Sequence, residues 1–288
     1  MASAKQRDEQ YLEEFSIDLT DLSDTELLEG RSHILPSERP FLGLFSRDKV
    51  AELLEKAGIT IALRRKGFYN FTLGFDTSKP QDQRLWIEDN ETREKLLFMR
   101  LHLGNFLARD IEVDLSELRL LFIDWLLLQN PRAEQKKDKL FPGQKYPGLG
   151  LFPEVKQFLY YIVRDIHLDG AANLPEFFHD AVLFADKFLF VHPESQGIFE
   201  ALRTQGRFLP LRHLSNLIHK GLVQISKGGG PFEVFEFRLG EMLVPHSQLL
   251  QDYFNSDHYK KQRKESSQNV RFLFGTLPED KPLSIPQH

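Results

Sequence analysis

The chain has 288 residues, 41% of them hydrophobic, which is enough for one large domain or two small ones with a real core. Its formal net charge of −5 gives no global attraction to nucleic acid or to an anionic membrane surface. It contains no cysteine, which excludes disulfides, thiolate nucleophiles and cysteine-ligated metals.

Residues 1–40 are acidic and polar with scattered apolar anchors such as Tyr11, Phe15 and Leu22, and read as an N-terminal arm. They hold no continuous apolar h-region, and no run elsewhere reaches the roughly 18 apolar residues of a membrane span, so the expected setting is the cytoplasm. Ser46 is placed to cap a helix over Arg47 to Lys56, with Val50, Leu53 and Leu54 on one face and Gly58 ending it. Ile59 to Leu63, Phe68 to Phe75, Leu85 to Glu88 and Leu96 to Leu103 read as strands of an antiparallel meander. Leu120 to Leu128 is apolar on both alternating faces apart from Asp124, as a central strand would be, although a buried helix would look the same.

After a glycine turn, Val155, Phe158, Leu159, Ile162 and Ile166 fall at helical spacing, with Pro153 tolerated in the first turn. A short strand at Gly170 to Leu174, a helix from about Pro175 to Lys187 and the run Phe188 to Val191 complete a core of residues 41–192. Helices over Glu194 to Arg203 and Leu211 to His219, a hairpin turning at Gly228-Gly-Gly230 and an amphipathic stretch from Ser247 to Phe254 form an extension, 193–257, packed on that core. Residues 258–288, with the basic cluster Lys260 to Lys264, read as a flexible tail. The fold class is therefore α/β (α+β), a mixed and largely antiparallel central sheet flanked by helices.

The turn Lys145-Tyr-Pro-Gly148-Leu149-Gly150 joins the central strand to a helix N-terminus. Backbone N–H groups there carry partial positive charge and bind an anion if no Cβ blocks its approach, and Gly148 and Gly150 supply that clearance. The same glycines also suit a tight strand-to-helix connection with no ligand.

This order of elements and the Lys145, Gly148, Gly150 spacing resemble the GNAT acetyltransferase superfamily over residues 41–192. The resemblance implies that Lys145, Gly148, Leu149 and Gly150 hold the pyrophosphate of acetyl-coenzyme A, and that an acetyl group passes to the amine of a small molecule or peptide. The family's pattern has Arg or Gln where Lys145 stands. It also often has a tyrosine that protonates the departing thiolate where Ala181-Val-Leu-Phe184 places Phe184, which has no proton to give. The cationic insertion Arg132 to Lys139 lies where its side chains would reach a coenzyme phosphate.

Acetyl transfer needs a base for the acceptor amine. Asp124, inside an apolar strand, is the first candidate, because burial disfavours a charged carboxylate and suits a base. Glu88 is the second, and His102 is placed to share their cleft. His167, His179, His192, His213 and His219 crowd the second half, but no HExxH or HxH spacing organises them for a metal, and no GxSxG elbow supports a serine hydrolase. A non-catalytic protein that binds a ligand or serves as a scaffold on the same core is the alternative. Nothing in the sequence sets the acceptor or the oligomeric state.

Overall fold

The computed structural model describes residues 39–106, 118–134 and 140–277. The acidic arm up to residue 38, residues 135–139 of the cationic insertion and residues 278–288 lie outside them. Ser46 caps α1 (Arg47–Lys56), its Oγ accepting from Lys49 N at 3.2 Å, and Val50, Leu53 and Leu54 form the buried stripe. Gly58, at φ +85°, turns the chain directly into a second helix, α2 (Ile59–Arg65), where the β-branched and aliphatic composition of Ile59 to Leu63 had pointed to a strand. The reason is spacing: Ile59, Ala62 and Leu63 sit three and four apart and are buried on one helical face.

Four antiparallel strands follow, β1 (Phe71–Lys79), β2 (Asp82–Asp89), β3 (Lys95–Asn105) and β4 (Arg119–Leu128). One face of this meander buries Leu85, Ile87, Met99, Leu101 and Leu121 in the main core. The opposite face carries Trp86, Lys95, Phe98, Arg100 and His102, all partly exposed. Trp86 fits there because β1 places Gly74 opposite it; a Cβ on Gly74 would lie 2.2 Å from Trp86 Cε2.

The chain continues through α3 (Phe152–Ile166), β5 (Gly170–Asn173), α4 (Phe178–Phe184), β6 (Leu189–Phe190), α5 (Pro193–Gln205) and α6 (Leu211–His219). Then come β7 (Val223–Lys227), β8 (Glu233–Val234), β9 (Met242–Pro245), α7 (Gln248–Asn255), α8 (Asp257–Gln268) and β10 (Val270–Phe274). The main sheet has seven strands in the order β1-β2-β3-β4-β5-β9-β6, and a smaller sheet runs β10-β7-β8. Within the main sheet β4 and β5 are parallel and every other neighbouring pair is antiparallel. The class is the expected mixed α/β, with eight helices among the described residues. None of these helices is long and apolar enough to cross a membrane.

Two expected boundaries dissolve on folding. Strand β9 comes from the segment assigned to an extension, yet it inserts between β5 and β6 and pairs with both, so residue 192 divides nothing. The expected tail is folded up to residue 277. Tyr259 is fully buried and its hydroxyl donates to Phe190 O at 2.6 Å, while β10 pairs with β7 along its whole length. Helix α8 packs so closely on α5 that a Cβ on Gly197 would lie 2.4 Å from Arg263 O.

A buried ion pair ties the ends of three strands together. The Asp89 side chain is fully buried and takes Arg132 in two hydrogen bonds, Nη2 to Oδ1 at 2.6 Å and Nε to Oδ2 at 3.1 Å. Arg132 also donates to Gly67 O at 3.1 Å and lies over the Phe68 ring at 4.6 Å. Burial alone would push the Asp89 carboxyl up, but Arg132 and the Thr92 donors overcome it and hold it below the ordinary 3.8. Asp89→Asn should lower urea stability at neutral pH by about 2 kcal/mol, the worth of hydrogen bonds to a charged group. Because the folded value is depressed, the Asp89 contribution is full above pH 3.8 and is lost as pH falls through the folded value, and the Asn variant should lack that acid-side loss.

Candidate functional site

Parallel strands need a crossover, so the chain leaves β4, runs through the turn and α3, and returns as β5. The two strands pair only over Leu120–Ile123 and Gly170–Asn173, although β4 continues to Leu128. Beyond Ile123, the β5 side of β4 has no strand neighbour among the described residues until Leu128 O accepts from Leu149 N at 3.4 Å. There Gln129 and Gly148 form an antiparallel bridge and Asn130 N donates to Pro147 O at 2.8 Å. The result is a wedge with its apex at Ile123 and Asn173 and its wide end crossed by residues 147–149. Trp125 to Leu128, apolar residues of an interior strand, are left partly exposed along it. Asn173 at the apex is 6% exposed, and its Oδ1 has no hydrogen-bond partner.

The glycine turn has the expected clearance. Gly148 is exposed, and a Cβ there would meet nothing closer than Leu128 O at 4.0 Å. Gly150 has φ +67°, which favours glycine, and N-cap Leu151 supplies no side-chain cap to α3. Leu149 is buried, with its N–H spent on Leu128 O. Lys145 points elsewhere: its Nζ pairs with Glu94 Oε1 at 3.3 Å, and Tyr146 donates its hydroxyl to the same oxygen at 3.0 Å. The cation beside the turn is Lys66, at the end of α2, whose Nζ lies 3.5 Å from the position of a Gly150 Cβ. Sequence reading passed over it because the fold, not the spacing, brings α2 to the turn. Arg132, also expected near a phosphate, is held by Asp89 instead.

At the apex, the register of β3 on β4 shifts between Arg100–Trp125 and Leu101–Ile123, leaving Asp124 as the extra residue of a β-bulge. The bulge turns Asp124 outward, so the burial expected for it is absent and its carboxylate is exposed. Its Oδ2 lies 2.7 Å from His102 Nδ1, and the His102 ring stacks on Phe122 at 4.6 Å and 6°. With Nδ1–H donating to Asp124, Nε2 of a neutral ring carries the lone pair of a proton acceptor. Such a pair can hold the His102 ring in place and accept a proton at Nε2, with Asp124 as its charge partner. Glu88 does not join them. It lies across from Lys95 at the far end of the sheet, with Oε1 3.1 Å from Arg93 Nε.

Phe184 is buried against Phe152 and Phe188, with ring centroids 4.8 and 4.9 Å away. Of the histidines, His179 is buried, its Nδ1 2.9 Å from Ser215 Oγ and its ring stacked on Phe141 at 4.4 Å. Among the described residues no group of three acidic or histidine side chains is placed to hold a metal ion. A separate cleft of about 300 Å³, lined by Pro40, Leu42, Thr77 and Leu103, opens on the core side of the sheet, away from His102. No protein-family model matches the chain, and no curated protein matches its sequence.

The His179 environment gives a pH prediction. Burial holds His179 down to about 4 and pushes Asp180 up to about 6. A depressed histidine makes stability rise with pH between 4 and 6.5, and a raised aspartate makes it fall between 3.8 and 6, so the two slopes oppose each other. Asp180→Asn removes the aspartate slope, and because Asp180 Oδ1 lies 3.3 Å from His179 Nε2 it also takes a carboxylate away from the imidazolium, which disfavours the charged histidine further and keeps its slope in the same direction. Its urea midpoint should climb more steeply than that of the wild type from pH 4 to pH 6, and equal slopes would contradict the assignment.

Proposed function

We propose that the protein moves an acetyl group from acetyl-coenzyme A to an amine on a small molecule or peptide, as GNAT-like acetyltransferases do. The observation that carries this reading is the wedge between β4 and β5, open along Asp124 to Leu127, crossed by the glycine turn at its wide end and bearing the His102–Asp124 pair at its apex. An extended ligand with amide groups fits such an edge, because it bonds the free backbone of β4 as a strand would. Gly148, Gly150 and the N-terminus of α3 receive the pyrophosphate, with Lys66 rather than Lys145 as the nearest cation. Asn173 Oδ1 offers an unpaired acceptor inside the wedge's apex.

In this reading His102 Nε2 takes the proton that the amine loses as its nitrogen attacks the thioester carbonyl, and Asp124 stabilises the imidazolium that forms. Phe184 supplies no acid, so the thiolate leaves unassisted and is protonated by solvent. That same position favours the second reading, a diverged protein that binds a ligand without catalysis on the same core.

Calorimetric titration separates these outcomes. Wild-type protein should bind acetyl-coenzyme A and coenzyme A, and Gly148→Val should fold but lose both, since its side chain fills the space the phosphates need. Equal binding by Gly148→Val would overturn the turn as the cradle. His102→Ala should keep binding and lose turnover about 100-fold, the lower range for general-base catalysis; binding without wild-type turnover on any amine supports the second reading.

A further inference from the structure

The cleft on the core side of the sheet is built around a backbone conformation that a leucine disfavours. Leu42 has φ +51°, and Gly43 after it has φ +74°. Gly43 N donates to Pro40 O at 2.9 Å and Phe41 bridges Phe45, so the two residues form the tip of a tight turn just before α1. Left-handed backbone suits Gly43, but at a residue with a branched side chain it is costly and has to be held by its surroundings. Gln83 holds it from β2. Its side chain is 5% exposed, Oε1 accepts from Leu42 N at 3.0 Å, and Nε2 donates to Lys79 O at 3.3 Å.

The turn alone would be served better by glycine or asparagine at position 42. Leu42 instead joins Pro40, Pro80 and Leu103 in lining a space of about 300 Å³, a volume within the range of small-molecule sites. Beside it the cleft is open at Gly43, where a Cβ would meet nothing within 4 Å. The polar side chains in the lining already serve the protein: Gln83 is used at both ends, Thr77 Oγ1 donates to Arg39 O at 3.0 Å, and the exposed Arg39 is engaged as well. Among the described residues no carboxylate lines the cleft. A charged ligand would have to take a partner from an existing contact, whereas an apolar one exchanges water for leucine side chains and proline rings.

We propose that this cleft binds a compact, uncharged apolar molecule of the size of a substituted benzene ring or a short alkyl chain, seated between Leu42 and Leu103. The site shares no residue with the wedge, the glycine turn or the His102–Asp124 pair. The inference therefore goes beyond acetyl transfer and does not depend on it.

The test is a titration of the full chain, carrying isotope-labelled leucine methyl groups, with toluene and with benzoate as its charged analogue, followed by NMR. Toluene should give saturable shifts of the Leu42 and Leu103 methyls through its ring current and leave those of Leu243 and Leu250, buried in a separate apolar cluster, unchanged. Benzoate should bind at least about tenfold more weakly, because its carboxylate loses water without gaining a partner. Leu103→Trp, whose indole fills the space, and Leu42→Gly, which suits the backbone but removes the wall, should each lower toluene affinity at least about tenfold. Absence of saturable shifts at Leu42 and Leu103, equal shifts at Leu243 and Leu250, benzoate binding as tight as toluene, or wild-type affinity in either variant that folds would each overturn the proposal.

Discussion

The constraint on which the molecule depends is the short parallel pairing of β4 with β5. Four residues of each strand pair, and then the strands part while β4 runs on. A parallel neighbour forces a crossover, and the crossover places both the turn and the N-terminus of α3 at the end of β4. In a sheet that is otherwise antiparallel, this leaves an interior strand with an open edge. Backbone groups on such an edge need partners, so the wedge is either solvated or occupied by a ligand.

What holds the wedge in shape lies around its rim. Asp89 and Arg132 fasten the segment after β4 to the β2–β3 turn and to Gly67 after α2. Glu94, from the same turn, takes both Lys145 and Tyr146, and Phe141 stacks on the buried His179. The turn is therefore anchored from both sides while Gly148 itself remains uncovered. Lys145 serves this anchoring, which is why a residue in the right place along the sequence is not the cation nearest the helix. On the other side of the sheet, the bulge at Asp124 breaks the alternation of β4 and turns a carboxylate toward His102. The bulge, on the β3 side of β4 next to where the β5 pairing ends, thus assembles the acid–histidine contact at the apex.

Local signals were legible in the sequence where they are physically local. The Ser46 cap, the helix after the glycine turn and the helix Leu211–His219 follow from capping and periodicity, whereas Leu120 to Leu128, apolar on both faces, fitted a central strand or a buried helix and folds as the strand. Ile59 to Leu63 was not legible, because five apolar-rich residues satisfy either period and only the neighbouring elements decide between them. The C-terminal segment looked like a solvated tail because α8 buries a single residue, Tyr259, among charged neighbours. The insertion of β9 between β5 and β6 was invisible, since nothing in four residues encodes which strands they join. At the site, Asp124 and His102 were each visible as candidates, but their contact depends on a one-residue bulge, and burial of Asp124 was inferred from its place inside an apolar run, which the bulge overrides by turning the residue outward.

Backbone amide exchange, followed with and without coenzyme A, examines the central claim at the atoms it concerns. If the wedge seats the coenzyme along the free edge of β4, amides in Asp124–Leu128 and in Gly148–Phe152 should slow on addition of ligand, while those of the small β10-β7-β8 sheet stay unchanged. Unchanged exchange in both segments at saturating coenzyme A, or protection confined to other regions, would contradict the account.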